Sequence, residues 1–408
     1  MRGNKILKII AMTCTFAILS SFSIKNVYAD ENGNWTKDRI WGSDRFETAN
    51  KIADEFCKTN EELGLKPDRK GIYIYPDTST NPIDTVILAN GFDFPDAVCS
   101  TPLSKTLNAP VLLSHADNLT DSTKKQIEKM NIKNVTIVGG TSAISENVEN
   151  QLKSMKINVN RLGGIDRYDT SYLIAAKLLE GSKIEGATIV GGMQWQDSMI
   201  SASGSTIQNK PILLAPTSEN EVLKKYKTLL EQQGINIDDV DIYGDYKNIK
   251  IDILKSMVPK NTNLSEESNI GAFKTYKAEL ENKYTNAFAI LDHAYTRTLP
   301  YKVHENVFLT RGDDFADSLT VAPLATKMSS PIVFGTPVHK GWSKWDEFIE
   351  SANKETERLN YTVTERECET FCNNVVNEIK NTMDKVTIVG GESAIPENAD
   401  EIFNNIWK

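Results

Sequence analysis

The chain has 408 residues, a net charge of −9 and 40% hydrophobic residues, which is typical of a globular protein of two or three domains. This acidic balance argues against nucleic-acid binding, because a nucleic-acid partner requires a basic face that neutralises phosphates. Five cysteines are too few for a disulfide scaffold at this length. We expect Cys99 to be a buried thiol, and a disulfide involving Cys57, Cys368 or Cys372 is left open.

The N-terminal segment 1–29 has the order of a secretory signal. Basic residues in "MRGNKILKII" precede an apolar stretch, and the small residue Ala29 follows where a signal peptidase could cut. Loss of its four basic residues would take the net charge from −9 to −13. We therefore expect an exported protein, with no membrane span after cleavage.

A first sequence block occurs twice, as "RIWGSDRFETA" from Arg39 and "RLGGIDRYDTS" from Arg161. Each copy runs into an amphipathic helix, since "ETANKIADEF" places its apolar residues at helical spacing. Arg45 and Arg167 each follow an aspartate, and a guanidinium in this setting can bind a phosphate or carboxylate. A salt bridge between repeats explains the pattern equally well. The corresponding "NIGAFKTYKAE" from Asn269 lacks both arginines.

A second block occurs three times, as "GFDFPDAV", "GMQWQDSM" and "GDDFADSL". Each copy has a glycine, an aromatic residue three positions later and an aspartate five positions after the glycine. The aspartates are Asp96, Asp197 and Asp317. Each precedes a helix of small residues, so its carboxylate could accept backbone N–H groups at the positive end of the helix dipole. A role in binding a ligand is equally consistent with the pattern.

A third block, "VTIVGGTSAI" from Val135, returns as "VTIVGGESAI" from Val386 and, with less similarity, as "VDIYGDYKNI" from Val240. A strand followed by glycines before a helix suggests a nucleotide site, but the third glycine and the ribose-binding acid of that motif are missing. The pattern is more typical of a tight strand-to-helix turn in which glycine supplies positive φ. The turn glycines are Gly139, Gly140, Gly244, Gly390 and Gly391.

The recurrence of these blocks predicts three tandem repeats, at 38–157, 158–260 and 261–408. We call them repeats one, two and three. Continuous apolar runs such as "VILA" and "VLLS" alternate with amphipathic helices, which predicts small parallel-sheet α/β domains. Repeat three carries an extra, mostly helical segment at about 338–372 whose tryptophans form either part of the core or a partner surface.

Enzyme chemistry finds little support in the residue pattern. The four histidines fall in no zinc-ligand spacing, and no nucleophile motif is present. We therefore predict no catalytic residue, no metal and no cofactor.

The blocks resemble the cell-wall-binding repeat type 2 family of Gram-positive bacteria, and the resemblance covers nearly the whole chain after residue 38. It implies three α/β domains packed as a pseudo-threefold triangle. It also implies a secreted protein held on the cell wall without a covalent bond, through an anionic secondary wall polymer.

On this basis the sequence predicts a non-catalytic, exported wall-binding protein without a separate effector domain. Arg45, Arg167, Asp96, Asp197 and Asp317 are the candidate polymer-binding residues. Two alternatives remain: a modifier that acts with a separate wall-associated autolysin, and a wall hydrolase such as an amidase with an unrecognised site. The residues identify neither the polymer nor the oligomeric state.

Overall fold

The computed structural model describes residues 35–67, 71–181, 183–236, 239–244, 249–259, 306–312, 314–335 and 383–395. The predicted signal 1–29, the insertion 338–372 and the cysteines Cys368 and Cys372 lie outside these residues. Cys57 and Cys99 are free thiols, and Cys99 is buried. None of the helices in this part of the chain is both long enough and apolar enough to cross a membrane.

The helices follow the predicted amphipathic and small-residue segments. They are α1 Arg45–Phe56, α2 Pro95–Cys99, α3 Thr101–Leu107, α4 Asp121–Lys129, α5 Glu146–Ser154, α6 Arg167–Leu179, α7 Trp195–Ile207, α8 Val222–Gln233, α9 Ile251–Met257 and α10 Val321–Lys327. The strands follow the short apolar runs. They are β1 Thr36–Ile40, β2 Thr85–Asn90, β3 Val111–Ser114, β4 Asn134–Val138, β5 Asn158–Leu162, β6 Ala187–Gly191, β7 Ile212–Ala215, β8 Val240–Tyr243, β9 Asn306–Arg311, β10 Ile332–Gly335 and β11 Lys385–Val389.

The strands form three small sheets. The first sheet has the order β3-β2-β4-β5, the second β7-β6-β8 and the third β1-β11-β9-β10. The strands of the first two sheets are parallel, and β10 and β11 run parallel to β9. The predicted α/β class with three parallel-sheet units in a pseudo-threefold arrangement is confirmed.

Two of the sheets are completed by a strand from another repeat. β5 begins repeat two in the sequence but pairs with β4 of repeat one. β1 begins repeat one and lies beside β11 of repeat three. The two ends of the described chain therefore meet in one sheet, which closes the three units into a ring. The boundary between repeats one and two, at residues 157 and 158, remains a prediction. In the sequence β5 follows this boundary, but in the structure it completes the sheet of repeat one.

Buried apolar side chains fill the space between the first two sheets and their helices, as the continuous apolar runs of strands covered on both faces require. The helices after the second sequence block, α3, α7 and α10, pack against one another at the centre of the ring. Their small residues permit this close approach, and as a result almost every residue of α7 is buried. The aromatic residues of the three blocks meet beside them. Phe315 lies 6.1 Å from Phe94 and 6.0 Å from Trp195 between ring centroids.

Candidate functional site at the junctions between repeats

Each of the three aspartates lies beside the first glycine of the turn in its own repeat. A methyl group at Gly139 would lie 2.5 Å from Asp96 Oδ2, and one at Gly390 would lie 2.8 Å from Asp317 Oδ2. The corresponding distance from Gly244 to Asp197 Oδ2 is 3.7 Å. These three glycines have positive φ angles, at 107° for Gly139, 137° for Gly244 and 125° for Gly390. All three turns therefore favour glycine for its backbone conformation. At Gly139 and Gly390 the carboxylate also leaves no room for a methyl group.

The second glycine of the turn has a different role. The carbonyl of Gly140 accepts hydrogen bonds from the backbone N–H groups of Ala143 and Ile144, both at 3.0 Å. Gly391 makes the same bonds to residues 394 and 395 at 2.9 Å. A methyl group at Gly140 would lie 2.8 Å from the carbonyl oxygen of Gly164 in the next repeat, so the first junction requires this glycine for close packing.

The pKa of Asp96 is strongly perturbed. Burial raises its pKa to about 7, and the charge of Asp93 adds to this effect while that of Arg167 opposes it. Its Oδ1 atom is buried without a hydrogen-bond partner in the described part of the chain. Asp96 lies in the first turn of α2, and this oxygen does not accept the backbone N–H groups that the structural interpretation of the sequence block assigned to the carboxylate.

Asp317 occupies the same position at the junction of repeats three and one, but has a partner. The hydroxyl of Thr48 in repeat one donates to Asp317 Oδ1 at 3.2 Å. Burial raises the pKa of Asp317, and the Thr48 hydroxyl opposes the rise. Asp197 in repeat two is buried, with an exposed fraction of 4%. The three aspartates are thus equivalent in position and different in environment.

The two predicted arginines occupy equivalent places in repeats one and two. Arg45 Nη1 donates to the carbonyl of Gly91 at 2.6 Å, and Arg167 Nη1 donates to that of Gly192 at 3.0 Å. Each therefore connects the start of its helix to the second sequence block of its own repeat. The preceding aspartates, Asp44 and Asp166, cap α1 and α6 by accepting a backbone N–H at 2.8 Å.

The further contacts of the two arginines differ. Arg167 reaches across the first junction and forms an ion pair with Asp93 of repeat one at 3.2 Å, with 26% and 54% of the two side chains exposed. Arg45 forms no ion pair with any of the residues described here; instead its guanidinium carbon lies 4.5 Å from the centroid of the exposed Phe92 ring. Among the described residues, the inter-repeat salt bridge considered for both arginines is therefore seen at Arg167 and not at Arg45.

Arg39 and Arg161, the first residues of their blocks, were not assigned a role from the sequence. Arg161 Nη1 donates to the carbonyls of Gly139 and Ile144 at 3.0 and 2.9 Å. Arg39 Nη1 donates to the carbonyls of Gly390 and Ile395 at 2.7 and 2.9 Å. Each arginine thus binds the glycine turn of the neighbouring repeat. Both arginines lie at the same spacing before the Asp–Arg pair of their block, and this shared spacing could have identified them from the sequence.

Together, the exchanged strands and the repeated junction contacts define a protein built from tandem α/β units that close into a ring. The chain belongs to the family Cell wall binding domain 2 (CWB2), whose model matches residues 39–149, 161–253 and 281–400. It is accordingly a cell-wall-associated protein, and the resemblance identified from the sequence blocks is confirmed.

Two curated relatives come from Bacillus subtilis. The chain is 26% identical over 302 residues to the N-acetylmuramoyl-L-alanine amidase LytC, with 73% of this chain and 55% of the relative covered. It is 31% identical over 299 residues to the Amidase enhancer, with 73% of this chain and 34% of the relative covered. The chain thus spans only about a third to a half of the length of these relatives.

Two solved structures from Clostridium difficile share the fold. Cwp8 aligns with a TM-score of 0.62 and 20% identity, covering 91% of this chain and 51% of Cwp8. Cwp6 aligns with a TM-score of 0.59 and 22% identity, covering 88% of this chain and 46% of Cwp6. At these identities the comparison concerns the fold alone.

Proposed function

We propose that this protein attaches to the bacterial cell wall non-covalently and without catalysis, by binding an anionic secondary wall polymer through its three repeats. The observation that carries the proposal is the match of three segments of one chain to a wall-binding family, joined here into one ring. Three related surfaces on one chain can contact one polymer at several points. Such multivalent contact converts weak individual binding into firm retention.

The contacts at the junctions support an anionic ligand. Arg45 and Arg167 are half-buried, held in place by glycine carbonyls, and still have N–H donors that can face a ligand. A guanidinium fixed in this way binds carboxylate or phosphate at a lower entropic cost than an unrestrained side chain. We propose that Asp96, Asp197 and Asp317 shape the same surfaces by holding the glycine turns, and contact the sugar hydroxyls where they are accessible.

The proposal is tested by co-sedimentation with purified cell walls, before and after chemical extraction of the secondary polymer. We expect the protein to sediment with intact walls, to lose binding by at least about tenfold on extracted walls, and to bind more weakly as salt rises. Equal binding to intact and extracted walls would contradict the proposed ligand. Release of new amino groups from the walls would instead support an amidase.

A double variant, Arg45→Ala with Arg167→Ala, tests the proposed residues. Its matched control, Lys125→Ala with Lys224→Ala, removes the same charge from exposed positions on α4 and α8. We expect the arginine variant to lose wall binding and the lysine variant to retain it, with both folded by circular dichroism. Equal loss in both would show that only net charge matters.

The match to the Amidase enhancer favours a second candidate function, in which the protein assists a separate wall-associated autolysin. The measurement is the rate at which a purified amidase hydrolyses walls, with and without this protein. A rate increase that depends on wall binding would support the second function. An unchanged rate would leave wall attachment alone.

A further inference from the structure

An exposed aromatic surface lies at the carboxyl ends of β2 and β3 in repeat one. We define it by Arg45, Phe92 and His115. Phe92 is 53% exposed, and His115 is also exposed. The two rings stack with their centroids 5.2 Å apart and their planes 26° apart. In open parallel α/β sheets, ligands bind at this edge, beyond the carboxyl ends of the strands.

A buried aromatic ring and a backbone hydrogen bond fix the conformation of this surface. Phe46, which is 4% exposed, lies 4.6 Å from His115 and 5.9 Å from Phe92 between ring centroids. The backbone N–H of Phe92 donates to Asn90 Oδ1 at 2.7 Å, which fixes the turn that carries the ring. Little conformational entropy would then be lost when a ligand binds, since the rings are already positioned.

The surface also carries unused hydrogen-bonding capacity. Among the residues that the structure describes, the ring nitrogens of His115 have no hydrogen-bond partner. Arg45 uses one N–H on the carbonyl of Gly91 and has no carboxylate within ion-pairing distance in this part of the chain. A guanidinium without a counter-ion, in a chain with a net charge of −9, favours an anionic ligand.

Repeat two does not form the same surface. Met193 stands at the position of Phe92 and Pro216 at that of His115, as the equivalent pairings of Gly91 with Ser114 and of Gly192 with Ala215 establish. Met193 offers no flat ring, and proline offers neither a donor nor a charge. The surface is therefore specific to repeat one among these two copies, although the arginine is common to both.

We infer that Arg45, Phe92 and His115 form a subsite for one acidic sugar unit. The sugar ring would contact the part of Phe92 that His115 and the Arg45 guanidinium leave exposed, its acidic group would bind Arg45, and its hydroxyls would bind His115. The inference rests on the proposed function and sharpens it: repeat one recognises the acidic saccharide, and repeat two lacks the stacking ring.

The first test uses the purified polymer and the full chain. We expect Phe92→Ala and His115→Ala each to weaken binding at least about tenfold, and Phe92→Trp to stay within about twofold of the unchanged protein. Ile72→Ala is the matched control, because Ile72 is 60% exposed in the same repeat and lies outside the surface. Melting temperatures establish that each variant is folded. Unchanged binding by folded Phe92→Ala would overturn the subsite.

The second test is independent of the polymer and so separates failure of the subsite from failure of the proposed function. The chain has four histidines, so the His115 ring resonances can be assigned by comparison with His115→Ala. We expect them to shift saturably with glucuronic acid or glucose 6-phosphate and to stay unchanged with glucose. The acid that acts at the lower concentration distinguishes a carboxylate from a phosphate. If neither acid shifts the resonances, or if glucose shifts them equally, the inference is wrong, whatever the wall binding of the whole chain.

Discussion

Replacing Asp96 with asparagine should stabilise the protein at neutral and alkaline pH. The ordinary pKa of this carboxyl is 3.8, and burial at the first junction raises it to about 7. Between these values the folded protein keeps a proton that the unfolded chain has released, so the stability of the folded state falls as pH rises through the window. At about 1.4 kcal/mol per pKa unit, the cost above pH ~7 is at most roughly 4 kcal/mol. Asparagine has nearly the same shape and never carries this charge.

Urea denaturation at pH values from about 3.5 to 8 measures the effect. We expect Asp96→Asn and the unchanged protein to differ little at the lowest pH, and the variant to gain between about 1 and 4 kcal/mol at pH ~8. Asp117→Asn is the matched control, because it makes the same substitution at an exposed position in the same repeat. A gain that is constant with pH, or a loss at pH ~8, would refute the reasoning that an unpaired buried charge is the cause.

Arg161→Ala should cost about 2–4 kcal/mol in urea denaturation, because two carbonyl groups lose a charged donor. Arg161→Lys should recover only part of this, because an ammonium cannot replace at once the Nη1 donor to the two carbonyls and the Nε and Nη2 donors to Glu149. A cost below about 0.5 kcal/mol would show that the strands alone hold the junction. Gly139→Ala should cost about 1–3 kcal/mol, since its φ of 107° is strained for alanine and the methyl group meets a carboxylate oxygen at 2.5 Å. Gly391→Ala is the comparison, because its nearest neighbour would be 3.7 Å away, and equal costs would contradict this account. Burial lowers the pKa of Lys327 to about 8, so the unfolded chain binds more protons between pH ~8 and ~10.5 and stability should rise with pH there. Lys327→Met should remove the part of this rise in stability that comes from Lys327. An identical dependence of stability on pH in the variant would contradict the prediction.

The contacts of the sequence blocks show which structural features the local sequence pattern could predict. The positive-φ requirement of Gly139 and Gly390 was predictable, because a strand that ends in glycine before a helix needs a turn open to few other residues. The caps formed by Asp44 and Asp166 are likewise local, since the carboxylate binds a backbone N–H three positions later. Each aspartate lies beside the glycine turn of its own repeat, because the two sequence blocks occupy equivalent positions in each copy of the fold. Whether these residues bind a polymer remains a prediction.

The sequence by itself determined the family, the α/β class, the presence of three parallel sheets and the residues that recur, because these depend on periodicity, turn chemistry and repetition along the chain. Tertiary structure alone decided which repeat each strand completes, since the pairing of β1 with β11 joins segments about 350 residues apart and no local signal records it. It also decided that Asp96 Oδ1 has no hydrogen-bond partner among the described residues while Asp317 Oδ1 accepts from Thr48, and that Arg167 pairs with a carboxylate while Arg45 lies against Phe92. Equivalent residues have different environments because a carboxylate or guanidinium responds to charges and donors within a few ångströms. Two of these neighbours, Thr48 beside Asp317 and Asp93 beside Arg167, come from another repeat.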